Sequence, residues 1–287
     1  MCFVSDVLFW SFMAMGKLVW LASYPKSGNT WVRAFLHNYI VNAETPHSIN
    51  SLVDFSVSEC AMAFFGAPGE VLTPQEAQAK RPAIHDALTR LHEDLVFVKT
   101  HNANLSLHGV PLCSPGVTAG AVYIVRDPRD VALSYAAFTG KTVDEIIAFM
   151  AEAGAANAGD GTQVFELLSS WSSHALSWVA APRRLLVRYE DLLAEPERYF
   201  GRIIRFLSAP GTAVAPDRLR RAIDFSSFST LAGQEAKEGY RAGGPSGEKF
   251  FRAGKAGGWR EELSPAQAAA IWAAHGGVME KFGYPRD

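Results

Sequence analysis

Between Leu21 and Leu36 the chain reads LASYPKSGNTWVRAFL. Lys26, Ser27, Asn29 and Thr30 surround Gly28 at the junction of an apolar run and a helix-like stretch. A full positive charge, short hydrogen-bonding side chains and the free N–H groups of a helix start make an anion site. Gly28 lets the backbone come close to that anion. A second basic group, Arg126, ends another apolar run, and Ser134 follows eight residues on. A guanidinium there offers a bidentate fork to a phosphate, and Ser134, two helical turns away, reaches the same anion if its helix runs alongside. A third run, DLVFVKTH, ends on Lys99 and His101. Taken singly, each has a plainer alternative: a strand–helix turn with a solvated lysine, a surface turn of paired charges, a structural histidine.

These groups need elements to hold them. KLVWLAS (17–23), DLVFVKTH (94–101), AVYIVRDP (121–128) and RLLVRYEDL (184–192) read as buried strands. Asn29–Val41, Arg129–Phe138 and a stretch with Trp171, Ala175 and Trp178 on one face read as helices. Thr73-Pro74-Gln75-Glu76 and Ser264-Pro265 have the chemistry of helix starts. Strands alternating with helices predict an α/β fold, a parallel sheet with helices on both faces. Ligands of such sheets sit at the carboxyl ends of the strands, where all three groups fall. Residues 42–69 read as a long loop with short helices. Phe55–Phe65 either walls an apolar pocket or packs in the core.

The 287 residues are 48% hydrophobic and 20% charged, enough apolar side chain for one sizeable core. The net charge of -2 argues against bulk binding to nucleic acid or anionic membrane. Cys2, Cys60 and Cys113 are odd in number and far apart, so no disulfide or metal pattern follows. A reducing, cytoplasmic setting fits. The first fifteen residues are apolar but shorter than the ~20 a membrane span needs, and no Lys or Arg precedes Lys17. Residues 1–16 read as an extension before a single domain at 17–287, or as a start placed before Met13 or Met15. A weak peripheral anchor is the other reading.

The loop YPKSGNTW differs from the nucleotide P-loop, whose lysine follows its second glycine. It resembles the 5′-phosphosulfate motif of sulfotransferases that use 3′-phosphoadenosine-5′-phosphosulfate (PAPS), at all eight positions. The resemblance extends to Arg126 with Ser134 (the 3′-phosphate motif), to Lys99-Thr100-His101 and to FFRAGKAGGWR at 250–260. It implies a P-loop-like three-layer sandwich. It also implies that Lys26, Ser27, Gly28, Asn29, Thr30, Arg126, Ser134, Arg252, Ala253 and Gly254 hold the donor's phosphates. Trp31, Tyr189, Ser226 and Phe228 would line the adenine. His101 would be the general base, and Lys26 and Lys99 would stabilise the moving charge. Ser134 would also keep Lys26 from acting too early. The products would be a sulfate ester and 3′,5′-diphosphoadenosine (PAP). The acceptor would be a hydroxyl, or secondarily an amine, of a small molecule, lipid or saccharide, with no metal and no stable membrane insertion.

Three positions depart from the pattern, one of them Gly258, where the family usually has an acid before the tryptophan. Ala103 stands where the family commonly has proline after the base, and Ala253 where it has lysine, with Lys255 two places later as a possible substitute. The rival functions are a nucleotide-dependent phosphotransferase and a non-catalytic module that binds the diphosphate.

Overall fold

The computed structural model describes residues 17–287; the extension expected at 1–16 lies outside them. Five strands form the central sheet: β1 (Leu18–Ser23), β2 (Ser56–Ser58), β3 (Val96–Thr100), β4 (Thr118–Val125) and β5 (Arg184–Arg188). Their order is β2-β3-β1-β4-β5 and every pairing is parallel. β1 is central and buried on both faces. Side chains alternate along a strand, so Leu18, Trp20 and Ala22 join one core layer while Val19 and Leu21 join the other. The first layer takes Val131, Ala132 and Tyr135 of the Pro128–Thr139 helix and Trp171, Ala175 and Trp178 of the Trp171–Val179 helix. The second takes Val32, Phe35, Leu36 and Tyr39 of the Asn29–Val41 helix, with Phe200, Ile203 and Ile204 of Pro196–Leu207. Helices thus cover both faces, and the fold is the expected α/β three-layer sandwich.

The chain leaves β1 for β2 and β3 on one side, then crosses to β4 and β5 on the other. That reversal places a crevice at the carboxyl ends of the central strands. The register sets its parts level. Ala22 pairs with Thr100, Ser23 with Ile124, and Val125 with Arg188. The residues that follow, Tyr24–Gly28, His101, Arg126 and Tyr189, all leave the sheet at one edge.

Some local expectations needed correction. The strand expected over 184–192 ends at Arg188, and Tyr189–Ala194 is a short helix. Glu190 and Asp191 in its first turn favour the helix start. The expected loop over 42–69 contributes the edge strand β2. Cys60, Met62 and Phe65 pack in one core layer, and Phe55 packs against the other. Both expected helix starts are present as capping boxes, Thr73 with Glu76 and Ser264 with Gln267.

Candidate active site

One cavity of about 620 Å³ opens at that edge, inside the range of small-molecule sites. Lys26, Asn29, Thr30, Trp31, Lys99, His101, Arg126, Ser134, Tyr189, Phe228, Arg252, Ala253 and the backbone of Gly28 and Gly254 line it. The three motifs, far apart in sequence, therefore converge on one space. Ser27 is buried outside the lining, its hydroxyl without a partner among the described residues. Ser226 also lies outside the lining; its hydroxyl donates back to the Ala222 carbonyl at 2.8 Å.

The helix that begins at Asn29 is built to meet an anion. Its N-cap is Gly28, with no side-chain cap and no acid in the first turn. The first N–H groups are left for an outside acceptor. The Asn29 amide ties the helix start to β1 by donating to the Leu21 carbonyl at 2.8 Å. Gly28 has φ 100°, and a Cβ there would lie 2.7 Å from Cδ2 of Tyr189. Gly28→Ala is expected to tilt Tyr189 and strain the loop by about 1–3 kcal/mol. PAP titration should read weaker binding, with the loss concentrated in the nucleotide rather than in the acceptor.

Lys26 sits in an aromatic clamp. Its Nζ lies 3.7 Å from the Phe250 ring centroid and 4.3 Å from that of Phe138. Burial lowers its pKa to about 7, with Arg126 and Arg252 adding to the fall and Glu235 opposing it. Among the described residues Arg126 forms no ion pair within 4.0 Å, although its charge acts on Asp130. It donates to the carbonyls of Lys26 and Lys255, each at 3.0 Å, and its guanidinium lies 4.4 Å from the centre of the Tyr189 ring. Its Nε has no hydrogen-bond partner among the described residues. The paired charges of that turn are instead Asp127 and Arg129, a buried pair at 2.8 Å. Asp130 anchors the late loop by accepting from the N–H groups of Gly257 and Trp259 at 2.6 and 3.0 Å. Gly254, at φ 60°, presses on the Phe228 ring, where a Cβ has no room. Arg252 lines the cavity while paired with Glu262 at 3.3 Å. Lys255 turns to Glu261 at 3.5 Å and lies outside the lining. Trp31, edge-on to Tyr189 at 5.6 Å, completes an aromatic floor suited to a purine.

His101 is half-buried at the end of β3. Its Nδ1 lies 2.8 Å from the Ser23 carbonyl. A carbonyl only accepts, so Nδ1 carries the proton and Nε2 keeps its lone pair. Its own carbonyl accepts from His174 Nε2 at 3.1 Å, and Tyr123 donates to the other nitrogen of His174 at 2.9 Å. Burial, with Lys99, lowers the His101 pKa to about 3. The imidazole is therefore neutral and oriented, with an unprotonated lone pair on Nε2.

The departures after the base have a physical account. Ala103 N–H donates to the Leu167 carbonyl at 2.8 Å, a bond proline cannot make. Asn102 is buried. Its Oδ1 accepts from Leu167 N–H at 2.7 Å and its amide donates to Glu59. The loop is held by hydrogen bonds instead of a fixed φ. Its partner is the two-residue strand Glu166–Leu167, which pairs with Ala156–Asn157. Sequence reasoning missed this element and its carboxylate. Glu166 lines the cavity, and one of its oxygens accepts from the His101 N–H at 3.2 Å. The one available signal was a lone charge inside the apolar run Val164–Leu168. Among the carboxylates of 42–94, none lines the cavity.

Lys26, Arg126 and Arg252, the aromatic rings of Trp31, Tyr189 and Phe228, and the neutral imidazole of His101 thus share one cavity. The sulfotransferase domain family matches residues 17–283, and the chain belongs to that family. It is 24% identical over 279 residues to cytosolic sulfotransferase 13 of Arabidopsis thaliana, covering 91% of this chain and 76% of the relative. Its fold resembles retinol dehydratase in complex with retinol and PAP, at TM-score 0.62 and 20% identity over 92% of this chain and 81% of that one. A mouse sulfotransferase complexed with PAP matches at TM-score 0.58 and 18% identity, over 94% and 87%. Among the described residues no helix is long and apolar enough to cross a membrane, and no group of three or more His, Cys, Asp or Glu could hold a metal ion.

Proposed function

We propose that the protein transfers the sulfuryl group of PAPS to an acceptor hydroxyl, with His101 as general base. The convergence of Lys26, Arg126 and the oriented Nε2 of His101 on one cavity carries this reading. The residues present fit a nucleotide phosphorylated at both ends. Lys26, the first turn of the Asn29–Val41 helix and the unpartnered Ser27 hydroxyl would hold the 5′ end. Arg126, Ser134, Arg252 and the backbone at Ala253 and Gly254 would hold the 3′-phosphate. Trp31, Tyr189 and Phe228 would pack on the purine.

PAPS supplies the sulfuryl group, whose bond to the 5′-phosphate oxygen breaks as the acceptor oxygen bonds to sulfur. His101 Nε2 takes the acceptor proton, a contribution of ~10²–10⁴ in rate. Lys99 meets charge on the sulfuryl oxygens, and Lys26 meets charge developing on the leaving phosphate. Nothing in these steps requires a metal. The retinol held by the retinol dehydratase supports a small-molecule alcohol as the acceptor class.

The test is label transfer from PAPS to a panel of phenols, alcohols, sugars and lipids. The expected result is a labelled ester with stoichiometric PAP. Tight PAP binding without transfer to any hydroxyl would leave a binding module. Tight binding of ATP with magnesium in place of PAP would indicate a phosphotransferase.

A further inference from the structure

We infer that Glu166 is a positioning residue for the transfer step: its carboxylate holds the His101 loop and supplies the negative charge that balances Lys99 and the imidazolium formed on His101. The inference rests on the activity proposed above and adds a residue to it.

Glu166 is 3% exposed, yet it lines the cavity beside Lys99 and His101. One oxygen accepts from the His101 N–H at 3.2 Å, and the other faces the Asn157 amide at 3.4 Å. Asn157 is itself fixed by the Tyr135 hydroxyl at 2.9 Å. The next residue, Leu167, bonds the loop twice, through Asn102 and Ala103. A displaced Glu166 would therefore displace the base.

The charge matters as well as the hydrogen bond. Burial alone would raise the Glu166 pKa, but Lys99 and His101, with Cys60 and Asn157, hold it at about 2. The carboxylate is ionised throughout the working range. The groups acting on His101 are Lys99 and His174, which disfavour its cation, and Glu166 and the Ser23 carbonyl, which favour it. Glu59, the other buried carboxylate near the loop, is matched by Arg81 and bonded by Thr100 and Asn102. It lies outside the cavity lining. Glu166 is thus the one carboxylate in the described structure that both lines the cavity and favours the imidazolium.

As the acceptor proton reaches Nε2, a cation forms beside Lys99. Without Glu166 that cation loses the carboxylate that favours it; Asp160, the other cavity-lining carboxylate among the described residues, is not among the groups acting on His101. A donor sulfonate against Lys99 would meanwhile feel the carboxylate as repulsion, which PAP, lacking the sulfonate, would not feel.

Glu166→Gln keeps an acceptor for the His101 N–H and removes only the charge. In the full chain it should lower kcat about 10–100-fold and move the acid limb of the kcat–pH profile down by about one unit. It should also raise the PAPS-to-PAP affinity ratio several-fold in calorimetry, a readout that needs no turnover and that lost packing would not move. Glu166→Asp, which keeps the charge, should return the acid limb toward wild type. An unmoved acid limb, or an unchanged PAPS-to-PAP ratio, overturns the inference. Failure of the wild-type protein to bind either nucleotide would overturn the activity reading instead, so the two failures are distinct.

Discussion

His101→Ala should remove most of the turnover, ~10²–10⁴-fold, while PAP binding stays close to wild type. The separation follows from where the imidazole sits. Its Nδ1 proton is committed to the Ser23 carbonyl at the end of β1, and Nε2 is left for the acceptor. Arg126 is held elsewhere in the lining, by the Lys26 and Lys255 carbonyls and against the Tyr189 ring. Arg126→Ala removes a charge-assisted bond worth roughly 1.5–3 kcal/mol, so PAP should bind about ten- to a hundredfold more weakly. The two variants must fail differently, one in rate and the other in affinity. The pH profile adds a sign. The free-protein pKa of His101 is lowered to about 3, so the neutral base is present at every pH above that value. The acid limb that His101 sets should therefore lie near pH 3, well below neutrality, and it is this limb that Glu166→Gln should lower. Substantial turnover in His101→Ala with a verified acceptor would mean the base is misassigned, and Glu166, the cavity-lining carboxylate that accepts from the His101 N–H, would be the next candidate.

The site was legible where its residues are contiguous. Pro25 to Thr30 form a single turn, and the anion chemistry of that turn depends on local geometry, so the order of residue types is enough. The strands that carry Lys99, His101 and Arg126 were legible because β3 and β4 are continuous apolar runs buried on both faces. β2 was not, because three residues with one apolar member show no period. The Ala156–Asn157 and Glu166–Leu167 pair leaves no pattern for the same reason. Glu166 meets His101 across 65 residues of chain, a contact that only the packed fold creates. Lys255 shows the opposite failure. Its spacing from Arg252 invited a phosphate role, yet the turn at 254–258 delivers its ammonium to Glu261 and its carbonyl to Arg126. Charge near a motif does not fix direction; the backbone turn does.

Lys26 should make nucleotide binding depend on pH. In the free protein its pKa is near 7, because burial beside Phe138 and Phe250, with Arg126 close by, disfavours the ammonium. A bound anion favours the ammonium and raises that pKa. Below pH 7 Lys26 is already charged, and affinity is insensitive to it. Above pH 7 binding must take up a proton, so PAP affinity should fall by up to about tenfold per pH unit until the pKa of the complex is reached. Titration of the phosphates, whose second pKa is about 6, is nearly complete by then and has the opposite sign. Calorimetry in two buffers of different ionisation enthalpy should register the proton uptake directly. Lys26→Arg keeps the charge and should flatten the profile, since a guanidinium does not titrate there. Lys26→Ala should also flatten it, at about ten- to a hundredfold lower affinity, and should cost turnover a further ~10²–10³, because the same charge faces both the bound phosphate and the leaving group. A PAP affinity that stays level from pH 7 to pH 9 in the wild-type protein would show that Lys26 does not face the 5′-phosphate.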